Sequence, residues 1–242
     1  MTSNPLIFSV CTKETKTLAL NWINHLQKIK ISNYKIFCFD IEAYDFLHSE
    51  RANVEYVRDS DSNKKIWLKR LRCALSLIKR GEDIIMSDLD AIWLKNPIKF
   101  IKEEYDIVAS TGIFPKSSLK KMGFTICMGW IYFKSKPAVI SLLEQTASKM
   151  VTEENFDDQK SINEILFLEN EEYADQNLEE LKIFSQENLS SEKFQLNMQI
   201  LGQRIIPRYK NTISKNHYVI HPYDPNQENE ATLKELNLWT LN

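Results

Sequence analysis

The stretch Asp83-Ile-Ile-Met-Ser-Asp88-Leu-Asp90-Ala-Ile-Trp-Leu-Lys-Asn-Pro97 limits what this chain can fold into more than any other. Ile84 to Ser87 is a short uncharged apolar run, the pattern of a strand buried on both faces of a parallel sheet. Residues two apart in an extended chain point the same way, so Asp88 and Asp90 present their carboxylates together while Leu89 turns into the core. Paired carboxylates at a strand end form a hard oxygen site that suits Mg²⁺ or Mn²⁺, ions that keep positions open for water and for substrate phosphates. Two solvated turn aspartates are the plainer alternative. The buried-type strand before them and the apolar Trp93-Leu94 after them favour the ion site.

Alternating elements precede that stretch. Leu6 to Cys11 reads as a strand, and the chain turns through Thr12 and Lys13 into a helix with Leu18, Ala19, Trp22, Ile23, Leu26 and Ile29 as its core stripe. Tyr34 to Phe39 reads as a second strand closing on Asp40, Glu42 to Leu47 as a short helix and Val54 to Val57 as a strand. Lys64 to Arg80 reads as a long helix stopped by Gly81. This alternation with short connections predicts an α/β fold with a mostly parallel central sheet and helices on both faces. Ligands gather at the C-terminal strand ends of such sheets, where Thr12, Asp40 and Asp88 all fall.

The 242 residues contain no linker or repeat that would split them, and with 43% hydrophobic residues they can bury a sizeable core. A net charge of -2 gives no reason to expect a nucleic-acid partner. Cys11, Cys38, Cys73 and Cys127 stand singly among apolar residues without metal-like spacing, as buried thiols in a reducing compartment do. No run approaches the ~18 apolar residues of a membrane span and no leader pattern opens the chain. A cytoplasmic protein is expected.

The residues also carry a resemblance. Asn21-Trp22-Ile-Asn-His-Leu, Tyr34-Lys-Ile-Phe-Cys-Phe-Asp40 and Gly81 through Pro97 are similar to the nucleotide-diphospho-sugar transferase family, glycosyltransferases of GT-A fold distantly related to glycogenin-like enzymes. Further on, Cys127-Met-Gly129-Trp-Ile-Tyr-Phe-Lys-Ser135 resembles the family's Asn-small-Gly strand, Asp158-Gln159 with Asn163 its Asp-Gln helix start, and Val219-Ile-His221 its late histidine. Leu233-Lys-Glu-Leu-Asn-Leu-Trp239 resembles its usual ending, so the likeness covers roughly residues 5 to 240. It implies one GT-A (Rossmann-like) domain over 1–242, with about 1–97 as the nucleotide-binding half and about 98–242 as the acceptor-binding half. It further implies a Mn²⁺ or Mg²⁺ ion on Asp88, Asp90 and His221. A nucleoside-diphosphate sugar, UDP-sugar foremost, would be held by Thr12, Asp40, Arg70, Asp88, Asp90 and Gly129, with Asp158 and Gln159 as catalytic residues. The acceptor would be a glycan, a lipid-linked glycan or a protein, and the course retaining, as in most relatives.

Two departures bear on this. Cys127 stands where relatives carry Asn. After His221, where many relatives have Gly and then a Lys that reaches the diphosphate, this chain reads Pro222-Tyr-Asp224-Pro-Asn-Gln-Glu228-Asn-Glu230. Acidic residues cannot neutralise phosphate, so that task falls to the ion and to basic residues elsewhere.

The second half is compatible with the same site. Asp106 to Ser110 and Thr125 to Phe133 read as strands, and Pro137 opens a helix to about Met150. Asn155 or Asp157 caps the next helix, with Ile162, Ile165 and Leu166 inward. Asp158 then falls in the first turn, where a carboxylate serving only the helix dipole is the alternative to catalysis. Glu169 to Glu192 is acidic and weakly periodic and reads as a solvated insertion. His217 and His221 flank Tyr-Val-Ile, and the pattern match selects His221 as the ligand. The helix from Lys64 carries Lys65, Lys69, Arg70, Arg72, Lys79 and Arg80, with Trp67, Leu71, Ala74, Leu75 and Ile78 as its apolar stripe. Its basic residues form a solvated face, reach donor phosphate through Lys69 or Arg70, or contact an anionic membrane.

Asp158 would either position and deprotonate the acceptor or stabilise positive charge at the anomeric carbon. A haloacid-dehalogenase-type phosphatase is the competing enzyme, because it too sets Asp-x-Asp after a strand and uses a later Asp-Asp pair like Asp157-Asp158. The non-enzyme alternative is a sugar-nucleotide-binding protein without turnover.

Overall fold

The computed structural model describes residues 4–58, 65–122, 124–167, 186–191, 194–209, 212–223 and 227–241. Parallel strands β1 (Leu6–Cys11), β2 (Tyr34–Cys38), β3 (Val54–Tyr56) and β4 (Ile84–Ser87) alternate with α1 (Lys16–Lys28), α2 (Ile41–Ser49) and α3 (Ile66–Lys79). The chain continues through β5 (Ile92–Trp93), β6 (Ile107–Thr111), β7 (Ile126–Phe133), β8 (Gln186–Ser191), β9 (Leu196–Leu201) and β10 (Val219–Ile220). The remaining helices are α4 (Lys116–Met122), α5 (Pro137–Thr152), α6 (Asp158–Phe167) and α7 (Asn229–Glu235). The main sheet has the order β3-β2-β1-β4-β7-β6-β9-β8, with β7 antiparallel to both neighbours and β8 antiparallel to β9, so it is mostly parallel as expected.

Strand alternation divides the core between the two faces of this sheet. Ile7, Cys11, Ile36, Cys38 and Ile85 pack under α1 and α2 with Ala19, Trp22, Leu26 and Leu47. Phe8, Val10, Phe37, Ile84 and Met86 meet α3, α5 and α6 through Leu71, Leu77, Leu142 and Ile162. β4 is buried along its whole length, which is what its uncharged run predicted. All four cysteines are buried and free of disulfides. The last turn of the chain is tied down by α1: Asn21 Nδ2 donates to the Leu238 carbonyl at 3.2 Å and Asn21 Oδ1 accepts from Thr240 N at 2.7 Å. No helix among the described residues is long and apolar enough to cross a membrane.

Several expectations need correction. α3 buries Leu68, Leu71, Ala74, Leu77 and Ile78, whereas Trp67 is 40% exposed and Lys69 and Arg70 are buried. The cause is local: the first turns of α3 overhang the C-terminal edge of the sheet, where carboxylates rather than apolar side chains wait beneath. The basic run is therefore not one solvated face, and Lys79 and Arg80 pair with Glu144 at 2.6 Å and Glu82 at 3.1 Å. Of the supposed acidic insertion, Gln186–Ser191 forms β8 on the sheet edge, and the rest, with Glu171, Glu172, Asp175, Glu179 and Glu180, lies outside the described residues. Asp157 rather than Asn155 caps α6, accepting from Lys160 N at 2.8 Å.

β7 carries the irregularity that shapes the site. Its pairing with β6 jumps from Ala109↔Ile131 to Ser110↔Cys127, so Met128, Gly129 and Trp130 bulge past β6 while Trp130 still pairs with Ser87 of β4. Bulges of this kind re-aim backbone groups beside functional sites. Asn163 of α6 fixes the bulge's start, accepting from Ile126 N at 2.8 Å and donating to its carbonyl at 2.8 Å.

Candidate active site

Asp88 and Asp90 leave the end of β4 on one side while Leu89 is buried between them. β5 follows at once and pairs antiparallel with β10, Ile92 opposite Ile220, which returns the late histidine to the carboxylates. His221 Nε2 lies 3.3 Å from Asp90 Oδ1 and 3.6 Å from Asp88 Oδ2. One ligand atom from each of the three residues falls within 4.8 Å of the others. Two carboxylates and an imidazole suit Mn²⁺ or Mg²⁺. The space beneath them is kept clear by Gly129, where a Cβ would stand 2.0 Å from His221 Cε1 and 2.5 Å from Asp88 Oδ2. This donor set fits a divalent cation. His217 takes no part: it sits in an exposed turn, its Nδ1 accepting from Ser214 N at 2.9 Å.

Charge is distributed unevenly around the three. Burial and the neighbouring Arg208 lower the pKa of His221, but Asp90 and Cys127 outweigh them and raise it to about 9. Burial raises the Asp90 pKa, and the opposite charges of His221 and Arg208 more than reverse this, leaving it lowered. Because the ion-free imidazole stays protonated up to about pH 9, an entering cation must displace that proton. Apparent Mn²⁺ affinity should therefore climb about tenfold per pH unit from pH 6.5 towards 9, with about one proton released per ion. Calorimetric titration in buffers of different ionisation enthalpy reads both; a pH-independent affinity would remove His221 from the ligand set. In the ion-free protein the raised value stabilises the fold below the unfolded pKa of ~6.5, and that contribution disappears as pH rises through about 9.

Arg70, from the second turn of α3, joins the cluster to Asp158, the first residue of α6. Its Nε and Nη2 donate to Asp158 Oδ2 at 3.1 and 2.6 Å, Nη1 donates to Asp88 Oδ1, and the guanidinium lies 4.3 Å from the Trp67 ring centroid. Burial disfavours the charge of Arg70, but Asp158 and Asp88 outweigh it and raise its pKa further. For Asp158 burial dominates: its pKa is raised despite the attraction of Arg70, with Asp88 and Asp157 pushing the same way as burial. Asp158 is thus more than a helix-dipole carboxylate. Gln159 beside it braces the bulge, accepting from Met128 N at 3.1 Å and donating to the Phe114 carbonyl at 2.6 Å.

Asp88, Asp90, His221 and Gln159 face one cavity of about 290 Å³, also lined by Ser9, Thr15, Trp67, Cys127 and Arg208, whereas Arg70 and Asp158 are buried and do not line it. Thr12 and Asp40, expected beside the nucleotide, are engaged elsewhere. Thr12 N donates to Thr15 Oγ1 at 3.0 Å. Asp40 caps α2 through Ala43 N at 2.8 Å, and its other oxygen accepts from Lys13 N at 2.7 Å. The strand ends were placed correctly, but a short carboxylate before a helix serves its own backbone first, and Ser9 and Thr15 line the crevice instead.

Trp67, Arg208 and the role of Cys127 were not found from the sequence. Cys127 Sγ lies 3.8 Å from His221 Nδ1 and accepts from Gly129 N at 3.5 Å. Burial raises its pKa, yet Arg208 and His221 bring it down to about 7. The sign that a polar group belonged at position 127 lay in the family pattern alone.

The family model described as nucleotide-diphospho-sugar transferase matches residues 29–226, and the chain belongs to that family. Among solved structures, the galactosyltransferase LgtC with donor and acceptor sugar analogues superposes with a TM-score of 0.55 at 10% identity, covering 98% of this chain and 96% of that one. The chain has the GT-A fold of such neighbours. Two curated relatives from Arabidopsis thaliana are each 21% identical: the beta-arabinofuranosyltransferase RAY1 over 110 residues, or 40% of this chain, and the arabinosyltransferase XEG113 over 166, or 61%. The matches span 20% and 26% of those proteins' lengths.

Proposed function

We propose that this protein is a divalent-metal-dependent glycosyltransferase that moves a sugar from a nucleoside-diphosphate donor, a UDP-sugar foremost, to an acceptor hydroxyl with retention. The observation that carries this reading is the joining of Asp88, Asp90 and His221 to Asp158 by one buried arginine, Arg70, at the C-terminal edge of the sheet. A cation held by Asp88, Asp90 and His221 supplies Lewis-acid stabilisation of the leaving diphosphate.

The chain's own groups do the rest. Arg70 links the ion site to Asp158, and Trp67, stacked on its guanidinium, closes one side of the cavity. Both contacts from Arg70 to Asp158 go to Oδ2, which holds this carboxylate next to the ion site. There it orients the acceptor hydroxyl or stabilises positive charge at the anomeric carbon. Gln159 keeps Met128 and Gly129 in their bulged path and thereby holds the floor of the site. Ser9 and Thr15 at the β1 end face the nucleotide.

The relatives' names speak of arabinose and galactose, which favours a neutral pentose or hexose as the donor sugar. A glycan, a lipid-linked glycan or a protein is the acceptor, and the buried free thiols fit a cytoplasmic location. The phosphatase alternative loses its support because Asp157 is a helix cap. Release of nucleoside diphosphate from UDP-, GDP- and CDP-sugars, followed with and without Mn²⁺, tests the reading. Turnover of one donor that stops on chelation supports it, whereas release of phosphate from aryl phosphates contradicts it.

A further inference from the structure

Arg208 is a buried cation with no carboxylate in ion-pair distance among the described residues. It stands between β9 and β10 and lines the cavity next to the Asp88–Asp90–His221 cluster. Its residue is only 8% exposed, and its Nε is buried without a hydrogen-bond partner. Arg70, by contrast, has two carboxylates within ion-pair distance. Nη1 lies against His221 Nδ1. Among the described residues the guanidinium thus borders the crevice with its Nε donor unsatisfied.

The backbone holds it there firmly. Arg208 N donates to Gln203 Oε1 at 2.7 Å, Tyr223 N to the Arg208 carbonyl at 3.0 Å, and His221 N to the Pro207 carbonyl at 3.2 Å. The segments around Arg208 and His221 are thus laced together, which sets the Arg208 backbone beside that of His221. A buried charge left unpaired is strongly unfavourable, and a planar fork of N–H donors matches phosphate oxygens. The chain from Pro222 to Glu230, where relatives place a lysine for the diphosphate, contains no basic residue.

We propose that Arg208 binds the donor diphosphate and supplies the cation that this chain lacks after His221. The inference rests on the glycosyltransferase reading above and names the residue that recognises the donor's charge. It is tested by equilibrium binding of UDP, GDP, CDP and ADP and of their monophosphates to the wild type, Arg208→Met, Arg208→Gln and Arg208→Lys, in Mg²⁺ and again in chelator. Affinity for the preferred diphosphate should fall about 30-fold in Arg208→Met, in chelator as well as in Mg²⁺, with a smaller loss for the monophosphate and a partial return in Arg208→Lys. Unchanged diphosphate affinity in Arg208→Met overturns the proposal, as does an equal loss for mono- and diphosphate. Unfolding of both neutral variants shows that Arg208 holds the fold rather than the ligand and also overturns it. If no diphosphate binds the wild type, the glycosyltransferase reading itself fails, a result distinct from wild-type binding that Arg208 does not affect.

Discussion

Gly129→Ala should lower donor turnover about 100-fold while the chain still folds, because misplacing catalytic groups by ~1 Å costs about that much. The added Cβ would stand 2.0 Å from His221 Cε1 and 2.5 Å from Asp88 Oδ2. Both neighbours are held by other groups. His221 is backed by Arg208 and by Cys127 Sγ at 3.8 Å, and Asp88 is held by Arg70. One ligand must leave its place, and the ion site opens. Overpacking of this kind costs about 1–3 kcal/mol of stability, so thermal melting separates a damaged site from a lost fold. Wild-type turnover in this variant would show that the three ligands do not act together.

Arg70→Met should destabilise the protein by about 3–5 kcal/mol as well as abolish transfer, since removing one partner of a buried ion pair strands the other. Asp158 is 2% exposed and depends on that guanidinium. Its pKa is already raised, first by burial, and the loss of Arg70 removes the largest opposing influence. An acid whose folded pKa lies above its unfolded value binds its proton more tightly when folded. Stability is then greatest below the unfolded pKa of ~3.9 and declines as pH rises through the folded one. Urea unfolding should therefore show a larger deficit for Arg70→Met at pH 8 than at pH 5. Adding Asp158→Asn should recover part of it at pH 8. A deficit independent of pH would mean that Asp158 is not the stranded charge.

Local signals in the sequence reported what local physics decides. The uncharged run Ile84–Ser87 and the two-residue spacing of Asp88 and Asp90 gave the buried strand and the paired carboxylates, because alternation in an extended chain needs no distant partner. Pro137 marked the start of α5 for the same reason. α3 was misread by part of a turn because periodicity assigns apolar residues to the core without knowing where the sheet ends. Trp67 lies beyond that edge, so it became a wall of the crevice and Arg70 took the inward place. Thr12 and Asp40 were placed at the right strand ends, yet which hydrogen bonds they make depends on the backbone that follows. β8 was missed because its edge-strand sequence, Gln-Glu-Asn-Leu-Ser-Ser, has no apolar alternation, and its pairing with β9 is tertiary. Arg208 had no signal at all: its position beside His221 comes from two irregular segments meeting through backbone hydrogen bonds.

The central claim is that the Asp88–Asp90–His221 cluster holds a cation that in turn holds a sugar nucleotide. A thermal-shift screen of UDP-, GDP- and CDP-sugars with and without Mn²⁺, on the wild type and on Asp88→Asn and Asp90→Asn, addresses it most directly. A ligand that binds only the folded state adds about 2.7 kcal/mol at 100 times its dissociation constant. The account predicts such a shift for one nucleotide, present only with Mn²⁺ and absent from both variants. No shift with any donor, or one that survives in Asp88→Asn and Asp90→Asn, would contradict it.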